Sequence, residues 1–331
     1  MRTVSPADFP SSPARLSLTS VTGVPGVKPD LKVMQLLSDS RDFAWVDLGD
    51  STGWAVFAFH GSPGRCHEFA IYDEIARDCG IRLIAVDRPG YGHSAFQPKR
   101  KLADFPDDIM ELADRLQVER FAVFGHSAGG PHALSCAHFL PDRVLACGVA
   151  GGIAPSAHLR STEGMLLTNR IQMAVYRHWP RTLDGLAVAL GWLASPFVAA
   201  ALRHGRQHPE SSLARFSRLL PSCDVGVITR PEIRAQLLAE LREFTPAVAR
   251  TSVQDMALCF RDWDFHPENI DVPVHIWQGD LDRNVPVVHG EILAQTIPCA
   301  TLHECPGEGH LLVMDHMEEI LKTLASCFSA P

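Results

Sequence analysis

The sequence predicts an α/β fold: a mostly parallel sheet with helices on both faces and a helical segment inserted between its two halves. Three observations carry this. Short, almost wholly apolar runs alternate with stretches of helical spacing, as strands buried on both faces do when helices cover them. The alternation stops over residues 153–262 and then resumes. A Gly-His-Ser-Ala-Gly pentapeptide, residues 125–129, stands directly after one of the apolar runs.

Residues 1–30 are rich in Ser, Pro and Thr without periodicity, so 1–40 reads as an irregular leader. Phe43–Leu48 and Trp54–Phe59 are apolar runs flanking the turn-forming Gly49-Asp-Ser-Thr-Gly53, which predicts a β-hairpin. Ile81–Val86 reads as a strand, Asp104–Leu116 as a helix, Phe121–Phe124 as a strand, Pro131–Phe139 as a helix and Leu145–Ala150 as a strand. Helical patterns alone follow, at Met165–Trp179, Leu213–Leu220 and Pro231–Phe244, the last with proline at a favourable first helical position. Alternation returns with Val274–Trp277 (strand), Val288–Gln295 (helix), Ala300–Glu304 (strand) and Met317–Phe328 (helix). The expected division is therefore a core of residues 41–152 and 263–331, with a helical lid at 153–262.

Composition narrows the function. Charged residues make up 21% and hydrophobic ones 46%, as in an ordinary globular protein. The net charge of −8, with no basic run, argues against nucleic acid as a partner. Nine cysteines without a CxxC, several within apolar runs, read as reduced thiols. An apolar run of roughly 7–15 residues does not follow Arg2, so no secretory signal is expected and a cytoplasmic location is. Leu186–Leu202 is nearly long and apolar enough to span a membrane, but Ser195-Pro196 interrupts it. Two short buried helices are expected there, without stable membrane insertion. Neither an HExxH nor a phosphate-binding glycine loop occurs, so neither a metal nor a nucleotide cofactor is expected.

The pentapeptide directs the chemistry. A sharp strand–turn–helix elbow brings the residues two before and two after the serine nearly into contact, hence Gly125 and Gly129, and holds the Ser127 hydroxyl out at the sheet edge. A serine nucleophile needs a base, a group that orients the base, and donors for an oxyanion. Asp280 and Asp282 follow the Val274–Trp277 run; His310 lies in the glycine-rich loop after the last expected strand. His303, within a strand, and His316, beginning a helix, are not in that loop. His60-Gly-Ser-Pro-Gly64 follows the Trp54–Phe59 run, and the N–H groups of Ser62 and Ala128 are the oxyanion-hole candidates. His126 reads as packed under the elbow and His60 as bonded to loop backbone.

With these motifs in order, HGSPG (60–64), DRPGYGHS (87–94), GHSAGG (125–130), GDLDRNVP (279–286) and GEGH (307–310), the chain resembles the α/β-hydrolase superfamily, in its serine-nucleophile, lid-bearing, esterase-like branch. The resemblance implies Ser127, Asp282 and His310 as a triad, with Asp280 the alternative acid, and gives Asp87, Arg88 and Tyr91 a scaffolding role near the mouth of the site. A serine at the elbow sets the chain apart from relatives with an aspartate nucleophile. The expected activity is hydrolysis of a small to medium, largely apolar ester through an acyl-enzyme. A C–C bond hydrolase, a cofactor-free perhydrolase or lyase, and a non-catalytic ligand receptor are the alternatives on the same scaffold.

Overall fold

The structure is a computed structural model that describes residues 30–36, 38–159, 162–178, 204–243 and 245–328. Eight strands form one sheet: β1 (Leu31–Gln35), β2 (Asp42–Gly49), β3 (Trp54–Phe59), β4 (Ile81–Val86), β5 (Phe121–His126), β6 (Val144–Ala150), β7 (Val274–Gly279) and β8 (Ala300–Cys305). Their order is β1-β2-β4-β3-β5-β6-β7-β8. The first two pairings are antiparallel and the remainder parallel. The α/β fold class read from the sequence is the one observed.

Alternation along β5 shows how the sheet is covered. Phe121 and Val123 face one apolar core, while Ala122 and Phe124 face another. On the first side lie α2 (Phe105–Arg115) and α3 (Gly129–Phe139), with Ile109, Leu112 and Leu134 buried. On the other lie α1 (Asp73–Asp78) and the C-terminal helix, with Ala76, Ile320 and Leu324 buried. Between β6 and β7 come α4 (Leu167–His178), α5 (Pro209–Ser217), α6 (Ser222–Ile228), α7 (Pro231–Glu243) and α8 (Pro246–Phe260). Then follow α9 (Val288–Thr296) and α10 (Val313–Ser326).

Two expectations are corrected. β2 and β3 do not form a hairpin, because β4 lies between them, antiparallel to β2 and parallel to β3. The turn itself forms, with Gly53 N–H donating to Asp50 O at 2.9 Å, but it steps across the start of β4. Asp50 N–H donates to Ile81 O and Trp54 N–H to Gly80 O. A strand as apolar as β4 is satisfied only in the sheet interior, and the local turn signal cannot report that. Within the expected leader, Leu31–Gln35 is strand β1; Leu31 and Val33 face one core and Met34 the other, so a simple apolar–polar alternation is absent, and the Lys32 ammonium pairs with Asp47 at 2.7 Å. Residues 1–29, the apolar stretch Leu186–Leu202, Trp179 and Phe244 lie outside the described residues. No helix among the described residues is long and apolar enough to cross a membrane.

Candidate active site

Four loops leave the carboxyl ends of parallel strands β3, β5, β7 and β8 and meet over the sheet edge, where open α/β sheets bind ligands. Ser127, between β5 and α3, has φ +54°, a left-handed conformation that costs a non-glycine residue about 1–3 kcal/mol. The surroundings impose it. Ser127 N–H donates to Ala150 O at 2.9 Å, and Gly130 N–H donates to Ser127 O at 3.0 Å. A Cβ on Gly125 would lie 2.3 Å from Gly129 O, and one on Gly129 would lie 2.2 Å from Phe59 O.

The loops after β7 and β8 supply the two other predicted side chains. His310 Nε2 is 3.0 Å from Ser127 Oγ, and His310 Nδ1 is 2.8 Å from Asp282 Oδ2. A carboxylate only accepts, so Nδ1 carries the proton and the Nε2 lone pair faces the serine hydroxyl. Asp282 is 3% exposed, and its Oδ1 accepts the Asn284 and Val285 N–H groups, each at 2.8 Å. Burial disfavours a charged His310 ring, but the Asp282 carboxylate, with Asp224 behind it, outweighs burial and holds the imidazole pKa above its ordinary value.

Asp280, the alternative acid, is exposed and accepts Gly307 N–H at 2.7 Å, joining the two loops. His303 lies in β8 stacked on Trp277, and His316 lies within α10 bonded to Glu308 and Glu319. His126 donates from Nε2 to the His310 carbonyl at 3.2 Å; burial, then the neighbouring His310, lower its pKa to about 3.

The loop after β3 packs on the nucleophile, since a Cβ on Gly61 would lie 3.4 Å from Ser127 Cβ. Among the described residues neither the Ser62 nor the Ala128 amide donates a hydrogen bond, whereas Gly61 N–H donates to Glu68 Oε1 at 3.2 Å. Arg88 shapes this loop from beneath: Nε donates to His60 O at 3.0 Å and Nη2 to Gly61 O at 2.8 Å. His60 is bonded to backbone on both ring nitrogens, to Gly61 O and from Arg88 N–H. Arg88 is in turn paired with Asp255 of α8 at 2.5 Å, which also binds Arg100; His132 completes a cluster wholly out of water. Burial alone would lift the Asp255 pKa, but the two guanidiniums hold it well below the usual range.

Core and insertion together enclose a cavity of about 880 Å³ that opens on Ser127 and His310. Ile153, Tyr176, Met256 and Phe260 make one wall apolar. The other carries Glu68, Gln236 and Glu240. Burial pushes both carboxyls up, and the Glu240 charge adds to the shift at Glu68. The pocket is thus less uniformly apolar than the sequence suggests. Glu68, Asp224 and Asp255 belong to none of the sequence motifs. For Asp224 and Asp255 the sequence does carry a signal, an acid on an otherwise apolar helical stripe: Asp224 with Val227 and Ile228, and Asp255 between Thr251 and Cys259.

Comparison with known proteins bears on the fold that carries these residues. Residues 55–317 match the family model described as the alpha/beta hydrolase fold. The chain belongs to the α/β hydrolase family. It is 24% identical over 287 residues to the dihydrolipoyllysine-residue acetyltransferase component of an acetoin cleaving system from Pseudomonas putida, covering 85% of this chain and 65% of that protein. The chain therefore spans a little under two thirds of that relative. It is 29% identical over 282 residues to the magnesium-chelatase 30 kDa subunit of Rhodobacter capsulatus, covering 82% of this chain and 85% of that protein. Among solved α/β hydrolase structures, an esterase from Exiguobacterium antarcticum superposes with a TM-score of 0.64 at 21% identity, covering 90% of this chain and 99% of that one.

Proposed function

We propose that this α/β hydrolase is a serine hydrolase that cleaves an ester through an acyl-enzyme. The observation that carries the reading is the unbroken chain from Ser127 Oγ to His310 Nε2 (3.0 Å) and from His310 Nδ1 to Asp282 Oδ2 (2.8 Å). The Ser127 proton passes to His310 Nε2 as Oγ bonds to the ester carbonyl carbon. Asp282 stabilises the imidazolium, and the Ser62 and Ala128 amides receive the oxyanion, each contributing about 3 kcal/mol as single donors do in comparable sites. The carbonyl–alkoxy bond breaks and His310 returns the proton to the leaving oxygen. A water, deprotonated by His310, then releases the acid and restores Ser127.

The helical insertion acts as a lid, and its residues set the substrate. An apolar acyl chain fits against Ile153, Tyr176, Met256 and Phe260, with a polar portion of the ester toward Glu68 and Glu240. A fluorophosphonate probe tests the nucleophile: wild type is labelled and Ser127→Ala is not, and equal labelling of the two overturns the reading. A p-nitrophenyl ester chain-length series then reports the acyl preference, and cleavage of vinylogous diketones instead of esters would reassign the reaction to C–C bonds.

A further inference from the structure

The base is held from a direction that no triad motif records. Asp224 lies on α6 in the insertion, 86 residues before His310 in sequence. It is 1% exposed, and its carboxylate closes on two consecutive backbone amides. Oδ2 accepts His310 N–H at 3.1 Å, and Oδ1 accepts Leu311 N–H at 2.9 Å. These amides open the short turn His310–Leu312 that carries the imidazole. Gly309 makes the approach possible: a Cβ there would lie 2.4 Å from both Asp224 oxygens. Its backbone, φ −105° and ψ −152°, suits any residue, so the requirement for glycine is contact with the carboxylate and not conformation.

We propose that Asp224 is a positioning residue for His310, fixing the backbone of the base from the insertion and placing a second negative charge behind its ring. The inference rests on the reading of His310 as the base. Three titratable groups face His310: Asp282 on the ring, Asp224 on the backbone N–H and His126 on the carbonyl. Two of them come from loops and strands of the core, whereas Asp224 makes the position of the base depend on the seating of α6. Its charge adds to that of Asp282 in raising the imidazole pKa. Burial lifts the pKa of Asp224 itself, and the two amides pull it only part of the way back, so it stays above the ordinary carboxylate value.

Asp224→Asn tests this with volume conserved. The amide oxygen accepts one N–H, while the amide nitrogen presents a donor to the other and the charge is gone. The His310 ring pKa, followed by NMR of ring-labelled histidine, is expected to fall, because one of the two charges that raise it is gone. One of the His310 and Leu311 amides exchanges faster with solvent. Esterase kcat falls by roughly 10- to 100-fold with KM nearly unchanged, as for a base displaced by a fraction of an ångström. Gly309→Ala expels the carboxylate from the opposite side and should reproduce all three effects, also where Asp224→Asn fails to fold. The double variant should be no worse than Gly309→Ala alone. An unchanged ring pKa and unchanged amide exchange in folded Asp224→Asn or Gly309→Ala overturn the inference, whatever the activity. A lowered ring pKa in a protein whose wild type does not react with fluorophosphonate upholds the positioning and removes the serine-hydrolase reading instead.

Discussion

Asp282→Asn is the sharpest perturbation because the structure dictates how the new amide must sit. Asp282 Oδ1 receives two backbone N–H groups, from Asn284 and Val285, each at 2.8 Å. An asparagine keeps its oxygen on these two donors, since its nitrogen would face both. The nitrogen therefore occupies the place of Oδ2, 2.8 Å from His310 Nδ1. A donor there demands a lone pair at Nδ1, which moves the ring proton to Nε2 and points it at Ser127 Oγ. The imidazole can then neither take the serine proton nor gain from a carboxylate when charged. A wrong tautomer of this kind costs about 10⁴-fold in kcat, or about 5.5 kcal/mol of barrier. KM and melting temperature should hardly move, because volume and both backbone bonds are retained. Steady-state hydrolysis of a p-nitrophenyl ester, with the labelling rate of Ser127 as a second readout, measures the loss. Asp280→Asn is the control, expected within about twofold of wild type because its oxygen still accepts Gly307 N–H at an exposed position. Asp282→Asn within tenfold of wild type, or a larger loss at Asp280, would refute the reasoning.

Three further predictions follow from the same geometry. kcat/KM should rise with pH along a single acid limb and then level, because only neutral His310 accepts the serine proton; the raised imidazole pKa puts the midpoint above about 6.5, and a limb centred below that value contradicts the assignment. Asp255→Ala leaves Arg88 and Arg100 buried without a counter-charge, which should cost about 3–5 kcal/mol and lower the melting temperature by roughly 5–10 °C in a thermal scan. Gly125→Ala places a Cβ 2.3 Å from the Gly129 carbonyl, and neither backbone can yield without opening the elbow. Fluorophosphonate labelling of that variant should be abolished even in the fraction that folds, and full-rate labelling would show the elbow to be more pliant than its contacts imply.

What the sequence made legible has a common physical origin. Parallel strands buried on both faces leave unbroken apolar runs, so β4, β5, β6 and β7 were visible with ends within a few residues. Ser127 was visible because a steric demand, glycine on both sides, is written locally. The structure also brings His310 and Asp282 together, as the motif order implied. What escaped was set by partners far along the chain. The turn at Asp50–Gly53 looks the same whether β2 and β3 pair or another strand slips between them, and only the apolarity of Ile81–Val86 argues for the latter. Asp224 bonds to backbone amides, which carry no side-chain identity, so no residue pattern in the histidine loop points to it except Gly309. The acids on the apolar stripes of α6 and α8 were nevertheless anomalies, since a buried carboxylate must have a compensating partner somewhere.

These two acids have related consequences. Asp255 reaches the loop after β3 through Arg88, whose guanidinium donates to the carbonyls of His60 and Gly61; Asp224 reaches the histidine loop directly. Buried ion pairs are a poor source of stability, because desolvation cancels much of their attraction, and well-packed apolar residues of similar volume would serve as well or better. Apolar packing, however, has no direction. It would seat α8 against the core without fixing where the His60 and Gly61 carbonyls point, whereas a guanidinium fork ties them to fixed sites. A variant replacing Arg88, Arg100 and Asp255 together by apolar residues separates the two roles. Its thermal stability should exceed that of Asp255→Ala but stay below that of wild type, because the buried His60 and Gly61 carbonyls lose the Arg88 donors, while its rate of Ser127 labelling falls, because the loop carrying the Ser62 amide has lost the bonds that orient it.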